Sequence, residues 1–96
     1  MGKRSLERRL TKTGIRLKGL RGELAVVEEQ LLYLGEDAED QTIRAMVAET
    51  GSSSFDARSA QGNFENMSKH RSRMIVEIAE LEQKQDELLD QMLNTK

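Results

Sequence analysis

Ninety-six residues allow one domain at most, and 36% hydrophobic with only 3% aromatic residues cannot fill a thick globular core. Charged residues make up 33% of the chain, the net charge is −2, and proline and cysteine are absent. That is the composition of long helices packed along seams, and it excludes a disulfide framework and a thiolate metal site. No stretch approaches the roughly 20 apolar residues of a membrane-spanning helix, and no apolar run follows the basic start, so the expectation is a cytoplasmic protein without membrane contact.

The first predicted element is a helix over about residues 5–49. Its apolar positions recur in steps of four and three: Leu6, Leu10, Thr13, Leu17, Leu20, Leu24, Val27, Leu31, Leu34, Ala38, Gln41 and Ala45, with Thr13 and Gln41 the polar exceptions. Such spacing over more than five heptads marks a coiled-coil seam, not a broad globular face. Charge is polarised along this helix. Residues 1–22 hold eight Lys and Arg against one acid, and residues 23–50 hold eight acids against one Arg. Gly35 with Glu36 and Asp37 reads as a competing helix break, but the seam passes it in step, so at most a kink is expected there.

Gly51-Ser52-Ser53-Ser54 follows as the predicted turn, a glycine suiting a helix C-terminal cap and a serine the next N-cap. The second helix, about 56–94, carries its own seam at Ala60, Phe64, Met67, Arg71, Met74, Ile78, Leu81, Gln85, Leu88 and Met92. Centring the turn between Ser52 and Ser53 pairs Leu17 with Leu88, Leu24 with Leu81, Ala38 with Met67 and Gln41 with Phe64, so every seam position lands on a seam position. It also sets the basic stretch 8–21 beside the acidic C-terminal region and makes Arg71 and Gln85 face Leu34 and Leu20. Either polar residue lays its aliphatic stem over the seam or specifies register, and Glu36 or Asp37 is the expected acid for Arg71.

With the seam as heptad positions a and d, the flanks differ. The e and b side holds Ala25, Leu32, Met46, Ile75, Ala79, Leu89 and Leu93, with Gly14 and Gly35 at e. The g and c side has only Val26, Tyr33 and Val47 as apolar residues. The expectation is one apolar interaction face and one wet one. Two such faces packing together give a four-helix bundle, and a docking face for another protein is the alternative.

Candidate chemistry is sparse. His70 is the only histidine and falls at a wet g position, and the acidic run Glu36-Asp37-Glu39-Asp40 lacks the glycine-turn spacing of a calcium loop. No nucleophile-and-base set, phosphate-cradling glycine loop or paired carboxylate cleft is present, so no catalytic residue, metal ligand or cofactor-binding residue is assigned and no cofactor is expected. Arg4, Arg8, Arg9, Lys12 and Arg16 are candidate phosphate contacts for nucleic acid, although no aromatic residue is interleaved with them.

The stretches Val26-Val27-Glu28-Glu29-Gln30-Leu31, Ile43-Arg44-Ala45-Met46-Val47-Ala48-Glu49-Thr50 and Gln85-Asp86-Glu87-Leu88-Leu89-Asp90 resemble segments of short, uncharacterised actinobacterial coiled-coil proteins. That resemblance implies a coiled coil and no particular activity. In outline the chain is also similar to WXG-type helical hairpins, whose turn carries Trp-x-Gly where Gly51-Ser52-Ser53-Ser54-Phe55 stands here. Glu77-Ile78-Ala79-Glu80-Leu81-Glu82 resembles the returning helix of the Gre-type coiled-coil hairpin, without paired acids at the tip.

The sequence thus predicts an all-α fold, a single long antiparallel two-helix coiled-coil hairpin that assembles into a four-helix bundle. The functional expectation is a non-enzymatic adaptor or assembly protein acting through protein–protein contacts, with a homo-oligomer, a dimer first, as its partner state. The alternative is a nucleic-acid-associated or RNA-polymerase-binding helical hairpin.

Overall fold

The computed structural model describes residues 2–95. Among them the chain forms two helices and no strand: α1, Lys3–Ala48, and α2, Gly51–Leu93. The fold is an all-α helical hairpin whose helices pack against each other. Without proline, nothing in either segment removes a ladder hydrogen bond, and the apolar stripe supplies the packing that sustains long helices in water. Every seam position from Leu6 to Ala45 and from Ala60 to Met92 is buried or half-buried, and the same spacing continues back through the half-buried Ala57 and Ser53.

The turn does not lie at Gly51–Ser54, which forms the start of α2. It lies at Glu49 and Thr50. Glu49 adopts the left-handed conformation, with φ at 51°, and its N–H still donates to the Ala45 carbonyl at 3.0 Å. It thereby occupies the helix-terminating place usually given to glycine. Thr50 is the N-cap of α2: its Oγ1 accepts the Ser53 N–H at 3.1 Å, and Ser53 Oγ accepts the Thr50 N–H at 3.4 Å. This reciprocal exchange is a capping box with serine in the place of the usual Glu or Gln. Gly51 is therefore a first-turn residue of α2 and not the cap of α1.

Moving the turn moves the register. Phe64 packs on Gly35, where an added Cβ would stand 3.3 Å from the ring, and not opposite Gln41. Arg71 reaches Glu28 at 3.4 Å, displaced from Leu34 and from the expected Glu36 and Asp37. In both cases the partner on α1 lies about one heptad farther from the turn than expected. Helix α1 runs unbroken through Gly35, and the bare glycine gives the Phe64 ring its close approach to the backbone.

The chain divides into two compact units. The first joins the stretch up to Leu24 with the stretch from Arg73. Its buried residues are Leu6, Thr13, Leu17 and Leu20 on α1 and Met74, Ile78 and Leu88 on α2. Thr13, polar in the seam, is satisfied because its hydroxyl donates to the Arg9 carbonyl at 2.8 Å. Two ion pairs tie the helices, Arg16 with Glu77 at 2.8 Å and Arg21 with Glu82 at 3.3 Å. The first joins g to g and the second e to e, as an antiparallel pair requires, since reversing one helix brings like-lettered flanks to the same side. These acids also lie nearer the turn than the C-terminal region expected to face the basic stretch.

The second unit, Ala25–Ser72, contains the turn. Only Val27, Ala38 and Ala60 are fully buried there, and Leu31, Leu34, Phe64, Met67 and Arg71 remain half-buried.

Paired cysteines test the register. Leu31→Cys with Met67→Cys should close an intrachain disulfide under dilute oxidising conditions, because Met67 borders the same groove as Gln30 and Leu34. Ala38→Cys with Met67→Cys should not, being displaced by a heptad, roughly 10 Å of helix rise and beyond disulfide reach. The turn makes a second prediction. Glu49→Gly removes the Cβ clash of the left-handed conformation and should raise stability by about 1 kcal/mol in urea unfolding; a loss would place the reversal elsewhere.

Candidate interaction surfaces

In the first unit α1 supplies cations and α2 supplies acids. Arg16 is committed to Glu77, whose hydrogen bond and charge push its already high pKa further up. Among the described residues Arg4, Arg8, Arg9 and Lys12 form no ion pair. Arg4, Arg8 and Lys12 instead line one shallow groove with Glu7 and Thr11. At positions four apart on α1 they form a single ridge. Ile15 stands at an outer f position beyond this ridge and is 68% exposed.

The seven residues of the e and b side are all exposed, and they fall into two groups. Ile75, Ala79, Leu89 and Leu93 lie on α2 in the first unit, where the e flank also carries the Arg21–Glu82 ion pair. Ala25, Leu32 and Met46 lie on α1 in the second unit. Within that second unit the division into one apolar and one wet side fails. Tyr33 and Val47 on the c side, at 67% and 81%, are as exposed as Leu32 and Met46 at 70% and 72%.

The g and c side of the second unit also holds a feature that sequence reading passed over. Two adjoining grooves share a floor of Leu34 and Met67, both half-buried seam residues. Gln30 and Tyr33 border one groove, and Asn63, Asn66 and His70 border the other. His70 is thus part of a groove rim. Among the described residues no group of three or more His, Cys, Asp or Glu is gathered in a way that could hold a metal ion. The signal for the groove was available in the heptad letters. Most g positions are Lys, Arg, Asp or Glu, including Arg9, Arg16, Glu23, Asp37, Arg44, Glu77 and Lys84, whereas Gln30 and Asn63 are amides and His70 is an imidazole. These three g residues border the two grooves, where amide and imidazole groups stand in place of ion pairs. An apolar floor with a few polar groups on the rim is the general character of a binding groove.

No helix among the described residues is long and apolar enough to cross a membrane. No protein-family model, curated protein or solved structure matches this chain.

Proposed function

We propose that the chain is a non-enzymatic coiled-coil assembly or adaptor protein of the cytoplasm, working through protein–protein contacts on its outward helix faces. The observation carrying this reading is the exposure, among the described residues, of twelve large apolar side chains, including Leu32, Tyr33, Met46, Val47 and Leu93. A two-helix fold buries one narrow stripe, and apolar surface beyond that stripe gains free energy when a partner covers it. Each such side chain is worth on the order of 1 kcal/mol or more on burial, partly offset by the ordering and association costs of binding. A second copy is the first partner proposed, a dimer joined through the e and b side as a four-helix bundle.

A second reading is favoured by one specific observation, the cations Arg4, Arg8, Arg9 and Lys12 that lack ion pairs among the described residues. They are suited to nucleic acid phosphates, and that reading makes the chain a nucleic-acid-associated or polymerase-binding hairpin.

Leu32→Glu with Leu89→Glu tests the first reading. Neither side chain belongs to the seam, so circular dichroism should show full helicity while light scattering shows a lower mass than the unaltered protein. An unchanged oligomer would remove the e and b side as the assembly surface. For the second reading, retention on duplex DNA at about 50 mM salt should collapse by about 200 mM, since phosphate contacts weaken steeply with salt. Absence of retention at low salt removes it.

A further inference from the structure

We infer that the cationic outer face of α1 around Ile15 docks into the acid-flanked groove floored by Leu34 and Met67 on a second copy of this chain. The inference rests on the assembly reading above and names a different surface for it.

Two surfaces of the chain are complementary in charge and apolar character. Ile15 is a large β-branched side chain, 68% exposed, at an f position directed away from the seam. Its helical neighbours three residues to either side are Lys12 and Lys18, and those four residues away are Thr11 and Gly19; no acid lies among them. An ideal Cβ placed on Gly19 or Gly22 meets nothing within 4 Å, so this face is flat beside its one apolar projection and admits a close helix approach. Exposed isoleucine ringed by lysines is a poor surface for water and an anchor for an apolar recess with acidic margins.

The groove supplies that recess. Its floor is apolar and half-open, and Tyr33 stands on its edge with 67% exposure. Three acids surround Tyr33 at helical spacing, Glu29 four residues before it and Glu36 and Asp37 three and four residues after it, with the neutral Gln30 the remaining neighbour. None of those acids is in an ion pair among the described residues. The unit as a whole follows the same sign, since residues 25–72 hold nine acids against four Lys and Arg. A half-buried apolar pocket beside an exposed tyrosine is the composition of an interface centre, and unpaired charges at its margin set orientation and encounter rate. On docking, Ile15 enters the recess over Leu34 and Met67, and lysine stems long enough to lie over the tyrosine ring carry their ammonium groups to the carboxylates.

Sedimentation velocity over a concentration series tests the contact, with helicity checked by circular dichroism for each variant. Ile15→Asp removes the anchor and leaves the groove. Tyr33→Lys with Glu36→Lys reverses the groove margin and leaves the anchor. All three side chains are exposed, so folding is preserved. Each variant alone should associate about tenfold or more weakly than the unaltered protein, the loss of one buried apolar side chain expressed as affinity. Mixed in equal amounts, the two should form a 1:1 complex, since one retains the anchor and the other the groove. Added salt should weaken that complex. A monomeric unaltered protein, unaltered association in either variant, or a mixture that stays monomeric overturns the inference. A monomer that is retained on duplex DNA overturns it too and assigns the cations to phosphate. Leu32→Glu with Leu89→Glu separates this contact from the four-helix reading. Association lost there and kept in both new variants overturns the anchor and groove alone. Association kept there and lost in both new variants removes the e and b side alone.

Discussion

A core one side chain deep is the constraint from which the rest of this molecule follows. Two helices alone can bury only the a and d positions that face each other, so almost every flank residue is left to solvent. Among the described residues the ten that are buried all belong to that seam. Larger folds can spread errors of packing over several layers, but here each seam residue meets one opposing row. Register, turn geometry and core composition are therefore a single problem: a turn displaced by a few residues reassigns every partner. This is why the Thr50–Ser53 capping exchange and the left-handed Glu49 matter beyond their own local energies.

The seam was legible in the sequence from Leu6 to Ala45 and from Ala60 to Met92, though not its continuation through Ala57 and Ser53, because the hydrophobic period of a coiled coil is a direct image of which positions are covered. The turn was not. Gly51-Ser52-Ser53-Ser54 offers the residue types that usually end and start helices, whereas the reversal is carried by a glutamate in a conformation that costs most side chains energy and by a threonine whose cap depends on a serine three residues on. Propensity favoured the glycine; the hydrogen-bond exchange of Thr50 and Ser53 prevailed over it. The register error that resulted had its own cause. Heptad patterns are unchanged by a shift of seven residues, so matching seam to seam cannot distinguish Phe64 near Leu34 from Phe64 opposite Gln41. Only an asymmetric feature can do that, and the absence of a side chain at Gly35 beneath the Phe64 ring is one.

The surfaces were legible in part. Reading apolar residues off the e and b letters found exposed side chains, but not that Ile75, Ala79, Leu89 and Leu93 belong to one unit and Ala25, Leu32 and Met46 to the other. Counting apolar residues also undervalued the opposite flank. What distinguishes the groove above Leu34 and Met67 is the amides of Gln30 and Asn63 and the imidazole of His70 in place of Lys, Arg, Asp or Glu, a feature of polar residues that a hydrophobic pattern cannot register. Ion pairs such as Arg16 with Glu77 close the flank of the first unit over its seam. Amide and imidazole side chains at the corresponding letters leave the flank of the second unit open.

The two units differ in how far their seams are covered. Among the described residues the first unit buries four leucines with Met74, Ile78 and a satisfied threonine, while the second fully buries one valine and two alanines and leaves its larger seam residues half-covered. Free energy gained on covering an apolar side chain scales with the area still exposed, so an added helix stabilises the second unit more than the first. Alanines at Ala38 and Ala60 bring the helices together with little volume between them. The bulk of Leu34, Phe64 and Met67 is left half-covered at the margin of the seam, a layer that two helices alone do not close.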